Sequence, residues 1–171
     1  GFSSIVTQFI LIILMFATVM NWDLHYARYT KKKIGVGRDV EAATLLITTV
    51  AITIGAVLLA GNVSFSGVWE ALFTSVSAIS TTGLVPNDFF DGGNVSTALG
   101  ILFALAAAVG GCAIGTGGGL KQLRSLVIYK AGKAEVDRLA HPHGVSAISV
   151  NRVEVQKPDI EAIWLLLGSF V

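Results

Sequence analysis

The chain alternates long apolar runs with short polar breaks that carry glycine. Residues 5–20, 42–60 and 98–109 are each nearly free of charge, and a bilayer span needs about 20 predominantly apolar residues. The run 42–60 meets that length. The first run is short but begins almost at residue 1, so the chain is expected to start inside a longer helix. At the other end Asp159 and Glu161 lead into an apolar run, 163–171, that stops without a flanking charge. Both ends read as cut, and a fragment of a larger protein is expected. Between the spans, residues 68–79 place apolar side chains at helical spacing over about 12 residues, too few to cross a bilayer. They run into the turn Ser80-Thr81-Thr82-Gly83-Leu84 and a polar return, Val85-Pro86-Asn87-Asp88. Short apolar helix, Thr/Gly turn and polar return make the pattern of a re-entrant pore loop. A second break follows at residues 110–119, where six of ten residues are glycine. Alternation of Val145, Ala147, Ser149, Asn151, Val153 and Val155 predicts a short hairpin centred on Asn151-Arg152.

Composition turns this pattern into a membrane protein. Hydrophobic residues make up 53% of the 171 and charged residues 13%, against about 25% charged in soluble domains. The 12 Lys and Arg residues fall in two stretches, 28–38 and 121–157, with none in 40–120. Basic residues beside helix ends mark the cytoplasmic side. The segment between them therefore crosses outward through 42–60 and returns from Val95 onward, leaving 61–94 outside. That outer segment carries Glu70, Asp88 and Asp91, the last two candidates for concentrating cations at an outer mouth or simply solvated loop residues. Trp22, Tyr26 and Tyr29 suit a membrane interface. The opening residues lack a secretory pattern, and the single Cys112 excludes an internal disulfide.

The residue types at the two breaks suit ion permeation. A cation leaving water needs replacement oxygens, and backbone carbonyls supply them without a fixed charge. Ser80, Thr81 and Thr82 offer carbonyls and hydroxyls that tie the turn down, Gly83 permits a conformation a Cβ would resist, and a preceding helix directs its partially negative end to the same place. An ordinary extracellular turn uses the same residue types, but the flanking topology favours a filter. Glycine disfavours a continuous helix through Gly110, Gly111, Gly115, Gly117, Gly118 and Gly119, with Thr116 among them, so an interruption is expected below the filter, where it could gate the path. Close packing through small residues explains the same glycines without gating, and on sequence alone both readings stand. Lys121 follows Leu120 and precedes Gln122, so the phosphate-binding P-loop spacing is absent. His141 and His143 flank Pro142 in what reads as an ordinary turn. No nucleophile with a base, no paired carboxylates and no metal cluster appears near the pore segments, so the chain is not expected to be an enzyme or to bind a cofactor or nucleic acid.

Residues 77–84, residues 110–121 and Arg138-Leu139-Ala140-His141-Pro142, taken in order, resemble the TrkH-type membrane subunits of the Trk/Ktr/HKT potassium transporter superfamily, and residues 21–26 look like the end of the helix before their third repeat. The resemblance implies an all-α membrane protein with helix, re-entrant pore loop, helix repeats in a pseudo-four-fold, potassium-channel-like arrangement, of which this is a partial chain. Residues 1–30 would end the preceding repeat, 31–39 form a basic cytoplasmic linker and 40–130 the third repeat. Within that repeat lie an outer helix 40–60, pore helix 68–79, filter 80–84 and broken inner helix 95–130. Residues 131–157 would form a cytoplasmic loop and 158–171 the start of the next repeat. By the same resemblance, potassium is the transported ion, bound by backbone carbonyls of Ser80, Thr81, Thr82 and Gly83, and residues 110–119 close the pore. The implied setting is the plasma or inner membrane, among lipid and the remaining repeats, as a homodimer docked to a cytosolic nucleotide-binding regulatory subunit of TrkA/KtrA type, with the basic stretch 121–157 as contact surface or simply lipid-facing charge. Ser80 and Leu84 depart from the commoner threonine and phenylalanine, which leaves a sodium-permeable member open. A secondary transporter binding substrate at the broken helix is a further alternative, although residues 95–120 lack ionisable groups other than Cys112.

Overall fold

The computed structural model describes residues 4–22, 26, 29–30, 40–86, 96–140, 149–150, 153–154 and 157–170. Asp88, Asp91, His141, Pro142 and His143 lie outside the described residues, as does the basic linker 31–39. Among the described residues there are six helices: α1 (Ile5–Val19), α2 (Val40–Ala60), α3 (Phe65–Ile79), α4 (Thr97–Val109), α5 (Gln122–Ala140) and α6 (Lys157–Phe170). Between α5 and α6, β1 (Ser149–Val150) pairs antiparallel with β2 (Val153–Glu154), Ser149 opposite Glu154 and Val150 opposite Val153. This two-residue ladder is the one departure from an all-helical fold among the described residues.

The shortness of α3 explains the architecture. It buries Gly67, Ala71, Phe73, Thr74, Ser75, Val76, Ser77 and Ile79, so it is wrapped rather than amphipathic. α2 and α4 pack on it and on each other, and α1 lies along it. Met15, Phe73 and Val76 fill the α1–α3 seam, and Ala56, Ala71 and Leu99 the contact of α2, α3 and α4. Two polar contacts fix α1 in register: Trp69 Nε1 donates to Gln8 Oε1 at 2.6 Å, with the indole stacked on Phe9, and Asn21 Nδ2 donates to Glu41 Oε2 at 2.7 Å.

α2 is the described helix long and apolar enough to span a bilayer; its 21 residues rise about 31 Å, against about 30 Å of hydrocarbon. It buries only Glu41, Leu45, Thr49 and Ala56, while Leu46, Ile47, Val50, Ile54 and Leu58 are exposed, an apolar exterior suited to lipid or neighbouring protein. Its threonines are compatible with that setting because Thr44, Thr48, Thr49 and Thr53 donate to carbonyls one turn back, at 2.7–2.9 Å.

Element ends differ from the sequence expectation in four places. α3 begins at Phe65 rather than 68, because the Ser64 side chain caps it by accepting from the Gly67 N–H at 3.2 Å. α1 stops at Val19, where Met20 turns extended, and Trp22, Tyr26 and Tyr29 beyond it are again helical. The second half of the inner helix runs to Ala140 rather than giving way to a loop after 130, since Ala131, Lys133, Ala134 and Glu135 are strong helix formers and Gly132 alone does not break it. α6 starts at Lys157.

Candidate functional site

The turn after α3 is built by backbone and hydroxyl groups together. The N–H groups of Ser80, Thr81 and Thr82 fold back to donate to the Val76, Ala78 and Ser77 carbonyls at 2.9–3.0 Å. They satisfy carbonyls that the end of any helix leaves orphaned. Ser80 Oγ reaches the Ser77 carbonyl at 3.1 Å and Thr82 Oγ1 at 2.7 Å, and Thr81 Oγ1 donates to the Ser80 carbonyl at 2.7 Å. Thr81 adopts φ 55° and Gly83 φ 76°, so the chain visits the left-handed region at two nearly adjacent positions. Glycine takes that region without strain; Thr81 takes it held by its hydroxyl contacts. Ser80 is buried, Thr81, Thr82 and Gly83 are exposed, and Leu84 is half-buried against the Met15, Phe73 and Val76 cluster, where it anchors the turn's far end. Among the described residues, the carbonyl oxygens of Thr81, Thr82 and Gly83 accept no hydrogen bond.

Between α4 and α5 the chain is non-helical from Gly110 to Lys121. This glycine loop attaches to three helix ends. The Cys112 N–H donates to Val19 O at 3.0 Å and the Thr116 N–H to Thr18 O at 2.9 Å, capping the open end of α1. The Gly110, Leu120 and Lys121 N–H groups donate to Ala106, Ala108 and Val109, which closes the end of α4. Gln122, at the start of α5, donates from its backbone to Gly111 O and from Nε2 to Gly110 O and Thr48 Oγ1. Irregular backbone at membrane depth requires such pairing, because an unpaired amide there costs several kcal/mol.

The glycines are present because a side chain would not fit. A Cβ on Gly110 would lie 2.1 Å from the Gly118 carbonyl oxygen, one on Gly115 2.7 Å from Val19 O, and one on Gly119 2.6 Å from Ala107 O. Gly111 and Gly117 meet the Val19 side chain at 2.7 and 2.8 Å. The expected interruption of the helix and close packing through its glycines therefore occur in the same loop.

The turn after α3 and the glycine loop touch. The Gly118 N–H donates to Thr81 Oγ1 at 2.8 Å, and a Cβ on Gly117 would approach the Ser80 carbonyl to 3.4 Å. Sequence reasoning missed Lys121 as a member of this site. It is exceptional in being a non-glycine residue at φ 76°, and its ammonium turns back into the loop to donate to the Gly115 carbonyl at 2.8 Å and to the Gly117 carbonyl. The available signal was its place as the first ionisable side chain after a charge-free, glycine-broken membrane segment.

Comparisons with known proteins agree with this fold. A family model described as a cation transport protein, TrkH, matches residues 66–171. The Trk system potassium uptake protein TrkH of Halomonas elongata is 29% identical over 99% of this chain and 36% of its own length, and that of Escherichia coli K12 is 30% identical with the same coverage. The crystal structure of the potassium transporter TrkH from Vibrio parahaemolyticus superposes with a TM-score of 0.84 at 26% identity, over 99% of this chain and 37% of that one. The chain thus spans little more than a third of the length of the relatives it matches.

Proposed function

The chain belongs to the TrkH family of cation transport proteins, and from that premise we propose that it forms one pore repeat of a potassium-translocating protein of the cell membrane, with its ion filter at residues 80–84 and its gate at residues 110–119. Transport rather than catalysis is the activity named for its relatives. The observation that carries the reading is the row of carbonyl oxygens at Thr81, Thr82 and Gly83 that accept no hydrogen bond among the described residues, in a turn whose N–H and hydroxyl groups are turned inward. Such a row is a ligand set for a dehydrated monovalent cation, and the C-terminal end of α3 adds a favourable partial charge. Conduction is passive and channel-like, down the electrochemical gradient. The glycine loop serves as the barrier because it bears directly on the filter through Thr81 and can move only by exchanging one set of backbone hydrogen bonds for another.

One repeat supplies a quarter of a four-fold filter. The remaining repeats of the protein complete the ring, the exposed face of α2 meets lipid or those repeats, and the assembly is a homodimer controlled by a cytosolic nucleotide-binding subunit that approaches from the side of α5. The test is potassium flux into liposomes carrying the full-length protein. Replacing Gly83 by alanine, which forces a Cβ into the left-handed conformation, is expected to lower potassium flux and weaken discrimination against sodium. Unchanged flux and selectivity in a normally folded Gly83→Ala protein would remove the filter assignment.

A further inference from the structure

Lys121 carries an inference that rests on the pore reading and goes past it. We propose that its ammonium group is a tethered cation that locks the glycine loop closed, holding loop carbonyls with the same contacts a permeating monovalent cation would make. Three observations support this. First, the side chain turns back toward the loop instead of following α5 toward the cytoplasmic side: Nζ reaches the Gly115 carbonyl at 2.8 Å and also the Gly117 carbonyl, six and four residues earlier. Second, the backbone is bent to permit this, since Lys121 sits at φ 76°, a conformation that costs a non-glycine residue of order 1–3 kcal/mol and persists only where its surroundings hold it. Third, among the described residues the ammonium has no carboxylate partner, and the groups it is seen to hold are carbonyl dipoles.

The consequence follows from position. Gly117 packs against the Ser80 carbonyl and the next residue, Gly118, donates to Thr81, so the lysine pins the part of the loop that bears on the filter. Opening the loop requires the ammonium to leave its carbonyls. Because the strength of that lock resides in a charge-assisted hydrogen-bond pair, removing the charge should shift the closed-to-open balance by roughly tenfold. Lys121 is a positioning residue on this account: it acts on flux through the loop, with no part in selecting the ion.

The experiment uses the full-length protein in liposomes and measures rubidium and potassium flux. Lys121→Met, which keeps the stem and removes the charge, is expected to raise basal flux about tenfold with the potassium-to-sodium preference unchanged. Lys121→Cys should behave alike. Modification with 2-aminoethyl methanethiosulfonate, which rebuilds an ammonium at nearly the original length, should return flux toward the parent value. Neutral methyl methanethiosulfonate should not. The parent protein treated with both reagents controls for Cys112 and for cysteines elsewhere in the full-length chain. If Lys121→Met and Lys121→Cys conduct like the parent while Gly83→Ala lowers flux, the lock is wrong and the pore reading survives. If Gly83→Ala also conducts like the parent, the pore reading itself has failed. Flux that falls in both lysine variants and is restored by aminoethylation would make the charge a requirement for conduction and overturn the lock. Because the two reagents act on one already folded Lys121→Cys protein, a folding defect in Lys121→Met does not remove the test.

Discussion

The two interruptions in this chain solve the same problem by opposite means. Both interrupt helices with irregular backbone, whose amides need partners wherever water is excluded. The turn at residues 80–84 is stabilised locally: the N–H groups of Ser80, Thr81 and Thr82 return to the last turn of α3, its hydroxyls brace the turn, and among the described residues the carbonyls of Thr81, Thr82 and Gly83 accept no hydrogen bond. The glycine loop is held by other elements, through the ends of α1, α4 and α5 and through the Thr81, Lys121 and Gln122 side chains that reach its backbone. The first is ordered by its own polar side chains, and the second fits because its own glycines carry none. A site organised from within can hold carbonyls open for a ligand. A segment organised by its neighbours can shift when those neighbours move. That division is the one the proposed filter and barrier require.

The contrast is most exposed at two glycines of similar φ. Gly110 (φ 71°) combines the left-handed conformation with a Cβ position 2.1 Å from Gly118 O, whereas Gly83 (φ 76°) has nothing within 4 Å of its Cβ position. Gly110→Ala must therefore both strain the backbone and push the loop apart, at a cost on the order of 3–5 kcal/mol. Gly83→Ala adds conformational strain only, about 1–2 kcal/mol. Thermal unfolding of the full-length protein in detergent should rank them in that order, with Gly110→Ala losing clearly more. Equal losses would break the comparison, because the loop would then tolerate side chains as readily as the turn. Solvent access sharpens it further. Cys112 is 1% exposed and packed in the cluster with Val19, Leu45, Ile79 and Ala106, so thiol labelling of its peptide should be slow in the parent and markedly faster in Gly110→Ala, yet unchanged in Gly83→Ala.

The same contrast decides what could be read from the sequence. The turn was legible because its chemistry is written in residue types: hydroxyls, a glycine, and a preceding helix too short to span. The interruption at 110–119 was legible from helix propensity, and the family resemblance joined the two. The loop's partners were not. A glycine has no side chain to declare what it packs against, and Val19 lies some ninety residues upstream of Cys112. The turning back of Lys121 was hidden for a related reason: its identity reads as a cytoplasmic marker, and only the φ of 76° sends it into the loop. The helix runs on to Ala140 because Gly132, with open space around its Cβ position, is an inexpensive defect among strong helix formers, which charge and hydropathy patterning do not register.

The smallest expected effect falls where the two regions meet. Thr81→Val keeps the volume and the β-branch, and so the same backbone strain at φ 55°, and it removes only the hydroxyl. That hydroxyl donates to Ser80 O and accepts from the Gly118 N–H, and both are partly accessible to water, so the loss should be near 1 kcal/mol. If filter and loop act as one device, this small change should raise flux and Cys112 labelling in the direction of Lys121→Met, but by less. Combined with Lys121→Met it should add little, because a loop already released gains nothing from losing a second restraint. Strict additivity of the two substitutions in log flux would instead mean that Thr81 and Lys121 hold separate things. The contact between Thr81 and Gly118 would then be packing alone, and the barrier would have to be sought in the loop without reference to the filter above it.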